Sequence, residues 1–147
     1  MSRTSSDALA DDFVGFIRAF GVLRSDTTPC GQPMSVSTAH ALCELASGAK
    51  LNQRDLATRL GLTSSSTSRL VDQLVAKGWA EREPDPDSSD TRVRLVRLTP
   101  EGNGTARRVL QARSERFSRL LDNVPQSKRS MVVESLNLLK EAASALD

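Results

Sequence analysis

The sequence predicts a mainly α fold, a winged helix-turn-helix with a small two-stranded β-wing and further helices at both ends of the chain. Apolar residues recur at helical spacing over most of the 147 residues, a length that allows one compact unit with helical extensions. Two short helical segments are joined by a glycine-containing turn, which is the outline of a helix-turn-helix. Directly after them, two strand-like runs flank a loop rich in Pro and Asp, which is typical of a β-wing.

The N-terminal segment is predicted to form a helix with one apolar face. The residues of that face recur at helical spacing and include three of the four phenylalanines. They are Leu9, Phe13, Phe16, Ile17 and Phe20. Residues 25–33 contain Pro, Gly and small polar residues, so we expect a loop there. A second helix, capped by Ser35 or Ser37, is expected to end at Gly48.

Capping residues mark the two helices of the helix-turn-helix. Asn52 can cap the first of them, and Gly61 stops it. Thr63 can cap the second helix, which is polar in its N-terminal half and apolar in its C-terminal half. Lys77 and Gly78 then supply the cation and the glycine that are typical of a helix C-terminus.

The rest of the chain is predicted to be a wing followed by two helices. Strand-like runs at 79–83 and 92–98 flank the Pro- and Asp-rich loop 84–91, which cannot be helical. Thr99 begins another helix, because a Pro and an acid follow it in the first turn. Pro125 opens the last helix. Both of these helices carry long apolar stripes, as does the first helix, and one small winged domain cannot cover all three. They therefore need a partner.

Composition disfavours several classes of function. Aromatic residues make up 3% of the chain, with no Tyr, which argues against a base-stacking surface for single-stranded nucleic acid. The sequence has no Gly-rich phosphate loop and no paired carboxylates in apolar runs, and a single His would have to carry all proton transfer, so we do not expect an enzyme. A net charge of +2 does not by itself require a polyanionic partner. No apolar run approaches the length of a membrane span, so we expect a cytoplasmic protein.

Four segments in a fixed order resemble the MarR family of winged-helix transcriptional regulators, and the resemblance covers the chain from about Phe13 onwards. The segments are LNQRDLATRL at 51–60, SRLVDQLVAKGWAER at 68–82, DTR at 90–92 and LTPEG at 98–102. Each segment alone is a weak signal, whereas the ordered set is specific. The sequence departs from the family pattern at Thr67, where a small apolar residue is usual, and in the loop before Asp90, which is a residue or two longer.

The resemblance implies a sequence-specific DNA-binding transcriptional regulator, a repressor, that binds an inverted-repeat operator as a homodimer and is released by a small-molecule effector. We accordingly expect an N-terminal tail, dimerisation helix and loop at 1–34, a winged helix-turn-helix DNA-binding domain at 35–99, and C-terminal dimerisation helices at 100–147. The expected partners are double-stranded DNA, a second copy of the chain and an effector, with no cofactor and no membrane. A protein-binding module that uses this scaffold without DNA is the alternative.

The polar half of the second helix of the helix-turn-helix carries the side chains that a major-groove helix needs. Hydroxyl groups contact phosphates or either type of base, and one long donor can bind guanine O6 and N7 together. The residues expected to contact DNA there are Ser64, Ser65, Ser66, Thr67, Ser68 and Arg69. The alternative is that the serines only cap the helix and that Arg69 lies on a solvated face.

In the predicted wing, Arg92 follows Asp90 by two positions, so in an extended segment both side chains project to the same side and can pair. The resemblance implies that Asp90 orients Arg92, which enters the minor groove, where a narrow A·T-rich groove attracts arginine. Arg94 continues that face and can add a phosphate contact; an ordinary surface ion pair is the alternative. Lys50 and Arg54, near the start of the helix-turn-helix, are expected to contact phosphates as well.

Weaker signals concern regulation. Family members tend to hold small aromatic acids between the dimer helices and the winged domain, and the residues expected to line such a site are Phe16, Phe20, His40, Arg113 and Arg116. The alternative is that the phenylalanines are core and the charges solvated. Thiol redox sensing by Cys30 or Cys43 is a second mode of regulation, and two inert thiols are its alternative. These cysteines and His40 lack a fourth ligand at a recognisable spacing, so we predict no metal.

Overall fold

The structure is a computed structural model that describes residues 4–48 and 50–146, and within these ranges it is mainly helical. The helices are α1 Ser5–Phe20, α2 Val36–Ala46, α3 Gln53–Leu60, α4 Ser64–Ala76, α5 Pro100–Asp122 and α6 Arg129–Ser144, with a 3₁₀ turn at Gln126–Lys128. The strands are β1 Leu51–Asn52, β2 Ala80–Pro84 and β3 Arg94–Leu98. The chain divides into two compact units, one up to Ala112 and one from Arg113 onwards. This is the winged helix-turn-helix that the sequence predicts.

Helices α3 and α4 form the helix-turn-helix, and the predicted caps hold them in place. The Asn52 side chain accepts a hydrogen bond from the Asp55 amide at 2.8 Å and begins α3. Gly61 ends it in the left-handed conformation, with φ 64°, which favours glycine. Thr63 then begins α4 by accepting from the Ser66 amide at 3.2 Å. The turn is therefore short and defined by hydrogen bonds at both ends.

The wing belongs to a three-stranded antiparallel sheet with the order β1-β3-β2. The sequence predicts the two long strands, and the structure adds the short strand β1, because Leu51 pairs with Val96 in β3. The wing loop is longer than predicted and extends to Val93, so that β3 begins at Arg94 and Arg92 lies in a turn. The N-cap of α3 and the sheet thus share the segment Leu51–Asn52.

The two faces of the sheet differ in chemistry. Cross-strand partners lie on the same face, and the pairs Ala80 with Leu98 and Arg82 with Val96 occupy the face toward the core. Towards the wing tip this face ends in Arg94. The other face carries the charged pair of Glu81 with Arg97 and the pair of Glu83 with Leu95. The core face therefore passes into a basic surface at the wing.

The core of the first unit is formed by α2, α3, α4 and β3. The largest fully buried side chains there include those of Leu42, Leu56, Leu74, Val71 and Val96. Full burial of one such side chain contributes about 1.5–3 kcal/mol, so these residues supply much of the free energy that holds the helix-turn-helix to the sheet.

The start of α5 is tied to the end of α4 by one residue. The Thr99 hydroxyl donates to the Gly78 carbonyl at 2.6 Å and accepts from the Gly102 amide at 3.1 Å, while the Thr99 amide donates to the Trp79 carbonyl at 3.0 Å. Gly102 is required by this packing, because a Cβ built there would overlap the Trp79 carbonyl oxygen. The predicted helix start at Thr99 is thus confirmed, with an additional role in joining three elements.

Helices α1 and α6 contain no buried residue within the chain, although both carry large apolar side chains. On α1 the exposed ones are Leu9, Phe13, Val14 and Phe16, and on α6 they are Met131, Val133, Leu136, Leu138 and Leu139. These are the terminal apolar stripes that the sequence predicts to need a partner. Among the described residues, the structure contains no helix whose length and apolar character suit a membrane span.

Candidate nucleic-acid interface

A basic concavity lies between the starts of α3 and α4 and the wing. Its volume is about 470 Å³. We call it the arginine groove; it is lined by Asn52, Gln53, Arg54, Ser64, Arg82, Arg92, Val93, Arg94 and Val96. Four guanidinium groups and no carboxylate are among these residues. Guanidinium groups bind phosphate oxygens through two parallel hydrogen bonds, so the groove suits a polyanion such as a nucleic acid backbone.

The N-terminal half of α4 presents polar side chains next to this groove. Ser64, Ser65, Ser66 and Arg69 are exposed, and Ser68 is half-buried. Among the described residues, no ion pair engages Arg69, so its guanidinium is available to an external acceptor. Exposed hydroxyls followed by one long donor are the arrangement that major-groove reading needs.

The prediction for Thr67 is wrong. Its side chain is fully buried, and its hydroxyl donates to the Thr63 carbonyl at 2.9 Å. Thr67 lies three, four and seven positions before Leu70, Val71 and Leu74, so it belongs to the buried face of α4. A threonine can occupy this buried position because the backbone carbonyl one turn earlier accepts a hydrogen bond from its hydroxyl.

The ion pair predicted between Asp90 and Arg92 is present. Arg92 donates to the Asp90 carboxylate from its backbone amide at 3.0 Å, from Nε at 3.1 Å and from Nη2 at 3.2 Å. These hydrogen bonds lower the pKa of Asp90 below its ordinary value. The geometry differs from the prediction, because the segment is a turn in which the Val93 amide donates to the Asp90 carbonyl at 3.1 Å, and not an extended strand. The hydrogen bond from the Arg92 amide to the Asp90 side chain forms a turn that is typical of aspartate.

Of the predicted phosphate contacts, the structure brings Arg54 and Arg94 to the arginine groove but not Lys50. Lys50 lines a second concavity, also of about 470 Å³, on the sheet face that carries Glu81, Glu83 and Arg97. Arg97 donates to Glu81 at 2.5 Å, and Glu81 and then Glu83 raise the pKa of Arg97 above its ordinary value. Lys50 thus lies on a face that also carries the carboxylates of Glu81 and Glu83, which makes it a less favourable place for DNA.

Sequence reasoning missed Arg82, which lines the arginine groove from β2. Its Nη2 donates to Asp72 Oδ1 on α4 at 2.5 Å. Strand alternation from Ala80, a core residue, places Arg82 on the same face, which is the signal that could have found it. The contact with Asp72 depends on how the strand packs on the helix and has no signal in the sequence.

The residues predicted to bind an effector belong to both units. Phe16 and Phe20 stack on α1, with ring centroids 5.4 Å apart and planes 18° apart. His40 is exposed on α2 in the same unit. Arg113 and Arg116 lie on the C-terminal half of α5, in the second unit. The effector set therefore stays a prediction.

Both cysteines are half-buried, Cys30 in the loop before α2 and Cys43 on α2, where it packs against the core. A redox role for either thiol therefore stays a prediction. Across residues 4–48 and 50–146, no cluster of three or more His, Cys, Asp or Glu side chains is arranged to hold a metal ion, which includes His40 with these cysteines.

Residues 32–89 match the family model described as MarR family. The multiple antibiotic resistance protein MarR of Escherichia coli is 35% identical over 72 residues, which cover 48% of this chain and 49% of that protein. Across the curated relatives, the alignments span between 41% and 62% of the relatives' own length. The segment that matches the family model contains α2, both helices of the helix-turn-helix and β2.

Solved structures match almost the whole chain. FabT of Streptococcus pneumoniae, solved in complex with DNA, covers 97% of this chain and 96% of its own with a TM-score of 0.74 and 16% identity. PcaV of Streptomyces coelicolor, solved in complex with its natural ligand, covers 97% and 99% with a TM-score of 0.70 and 21% identity. At these identities the likeness concerns the fold, which includes the terminal helices as well as the winged domain.

Proposed function

We propose that this chain, whose residues 32–89 match the MarR family model and whose fold is a winged helix-turn-helix, is a sequence-specific DNA-binding repressor of that family. The observation that carries the proposal is the arginine groove next to the exposed polar half of α4. Four guanidinium groups converge there from α3, β2 and the wing, and no carboxylate lies among the lining residues. A protein of net charge +2 has no general surplus of cations, so this local concentration is informative.

In this proposal α4 enters the major groove and the wing reaches the minor groove. Arg69 binds a guanine, while the hydroxyls of Ser64, Ser65, Ser66 and Ser68 position the helix on phosphates and base edges. Arg92 enters the minor groove with its orientation set by Asp90. Arg54 and Arg94 bind the phosphates between the two grooves. FabT, solved in complex with DNA, has this fold, which supports the proposed docking.

We further propose that the protein acts as a homodimer on an inverted repeat. The support is the uncovered apolar surface of α1 and α6, where five large side chains of α6 are between 36% and 60% exposed. Monomeric proteins rarely expose contiguous apolar patches of this kind, so a second copy of the chain is the proposed cover. A two-fold dimer presents two recognition helices, which read half-sites about one DNA turn apart.

A small molecule that changes the distance between those helices would release the operator, and we propose an anionic aromatic compound in this role. The support is the phenylalanine pair on α1 and the fold shared with PcaV, which was solved in complex with its natural ligand. Thiol oxidation is the alternative means of release. By linkage, the effector binds the free dimer more tightly than the DNA-bound dimer by the factor with which it weakens DNA binding.

The DNA-binding proposal is tested with a labelled duplex from the region upstream of the protein's own gene. Fluorescence anisotropy should show binding whose log affinity falls steeply and linearly with log salt, because each bound phosphate releases counterions. A scrambled duplex of equal length is the control and should bind at least a hundredfold more weakly. The protein-binding alternative replaces this proposal if neither duplex binds at low salt.

The homodimer proposal is tested by sedimentation of two lysine variants of α6. Leu136→Lys places a charge on the exposed apolar stripe and should shift the protein towards monomer. Asn137→Lys introduces the same charge on the polar face, next to its hydrogen-bond partner Glu141, and should leave the assembly unchanged. Equal sedimentation of parent and both variants as monomers contradicts the homodimer.

A further inference from the structure

An ion pair joins helix α4 to the first long strand of the wing. Arg82 Nη2 on β2 donates to Asp72 Oδ1 on α4 at 2.5 Å. The Arg82 side chain also lines the arginine groove, whereas Asp72 is not part of the lining. The pair therefore links the helix proposed to read DNA to a cation in the proposed phosphate site.

The ion pair of Asp72 with Arg82 contributes little to the stability of the fold. The Asp72 side chain is 63% exposed and that of Arg82 is 31% exposed, and exposed ion pairs add little to stability. Asp72 follows Ser65 by seven positions and Arg69 by three, so it lies on the exposed face of α4 that carries both. A carboxylate on that face repels a polyanion unless it serves another group.

We propose that Asp72 is a positioning residue for DNA binding, which holds the Arg82 guanidinium in place as a phosphate-binding group of the arginine groove. This inference rests on the proposed DNA-binding function. A guanidinium has five N–H donors, and the bond to Asp72 uses one, so the others remain for a phosphate between the recognition helix and the wing. Arg92 is likewise held by Asp90, so two of the four arginines each pair with a carboxylate that is not part of the lining.

If Asp72 positions Arg82, removal of the Asp72 charge should weaken DNA binding, whereas the change in net charge alone would strengthen it. Asp72→Asn removes a negative charge from the recognition helix, and charge counting alone predicts tighter DNA binding. We expect binding weaker by about three- to tenfold, because the long Arg82 side chain must then be ordered when DNA binds. Asp87→Asn is the matched control. It removes the same charge from the exposed wing loop, where no ion pair involves Asp87 among the described residues, and should leave binding unchanged or tighter.

The measurement is anisotropy with the upstream duplex over a salt series from about 50 to 200 mM, where counterion release is large. Arg82→Gln should weaken binding to every sequence alike and reduce the slope of log affinity against log salt by about one per protomer. Asp72→Glu, which keeps the carboxylate, should retain most of the affinity. The double variant Asp72→Asn, Arg82→Gln should bind no more weakly than Arg82→Gln alone, because Asp72 acts only through Arg82.

A merely structural role for Asp72 would instead lower the melting temperature of Asp72→Asn in step with its loss of DNA affinity, which overturns the inference. Asp72→Asn binding at least as tightly as the parent, or full additivity in the double variant, overturns it as well, and leaves the DNA-binding function standing. Failure of the parent protein to bind any duplex overturns the proposed function, and this inference with it.

Discussion

Arg92 donates three hydrogen bonds to the carboxylate of Asp90. The backbone amide and Nε reach Oδ1 at 3.0 and 3.1 Å, and Nη2 reaches Oδ2 at 3.2 Å. The Arg92 side chain nevertheless stays 89% exposed. The contact therefore fixes the direction of the guanidinium without removing it from the surface, which suits a group that binds an external partner.

If Asp90 orients Arg92 for the minor groove, each residue depends on the other in DNA binding. Arg92→Ala and Asp90→Ala should each weaken binding, and the double variant should be little worse than Arg92→Ala alone. A double-mutant cycle on the affinity for the upstream duplex measures this coupling. Additive losses would mean that the pair does not act as a unit in the complex.

The Asp90 carboxyl should titrate below the ordinary range of aspartate. Its pKa is lowered by the hydrogen bonds from Arg92, so the ion pair is complete above the ordinary value of 3.8 and is lost only as pH falls through the lowered pKa. Carboxyl ¹³C NMR titration of the parent and of Arg92→Ala measures the difference. The variant should return Asp90 towards 3.8; an unchanged value would show that Arg92 does not hold it in solution.

Arg69 and Arg54 should differ in the kind of contact they make. Arg69→Ala should lose binding mainly at one symmetric pair of operator positions, because a bidentate arginine–guanine contact discriminates by about 1–3 kcal/mol. Arg54→Ala should weaken all sequences alike and reduce the salt slope. A series of operators with single base substitutions separates the two. Identical profiles for both variants would contradict base reading by Arg69.

The two glycines in the first turns of α5 should respond oppositely to alanine. A Cβ at Gly102 overlaps the Trp79 carbonyl oxygen, so Gly102→Ala should lower the free energy of unfolding by about 1–3 kcal/mol. At Gly104 the nearest atom, Arg107 Nη2, lies 3.8 Å from the added Cβ, and Gly104→Ala should raise stability by about 0.5–1 kcal/mol through helix propensity. Urea unfolding followed by circular dichroism measures both; equal shifts would contradict this packing.

Removal of both thiols should leave regulation intact if the effector is a small molecule. The double variant Cys30→Ser, Cys43→Ser should keep DNA binding and release by the effector, because release by a bound ligand requires neither thiol. Mild peroxide treatment of parent and variant, followed by the same anisotropy assay, is the measurement. Loss of DNA binding in the parent alone would establish redox sensing instead.

The helix-turn-helix could be predicted because capping residues mark the ends of its helices. Asn52 and Thr63 cap the two helices, and Gly61 ends the first in the left-handed conformation, as their residue types indicate. A run of hydroxyl residues conceals the helical spacing that links Thr67 to Leu70 and Leu74, so the sequence pattern places Thr67 on the wrong face of α4. Helical spacing counted backwards from the apolar half of α4 would have corrected it.

The sequence does not predict contacts between elements that lie far apart along the chain. The pair of Asp72 and Arg82 requires the packing of β2 on α4, and strand β1 requires the register of Leu51 against Val96. A two-residue strand has no periodicity of its own, so only its partner defines it. The four-arginine composition of the groove follows from the same packing, whereas the individual cations Arg54, Arg92 and Arg94 were visible in the sequence.

The contacts of Thr99 also determine how movement passes through the winged domain. One hydroxyl bonds the turn at Gly78 to the first turn of α5, and the segment of α5 up to Ala112 belongs to the same compact unit as α4. No loop lies between β3 and α5 to absorb a displacement. We therefore expect a displacement of the first turns of α5 to carry the end of α4 with it, because hydrogen bonds, and no slack loop, connect the two helices.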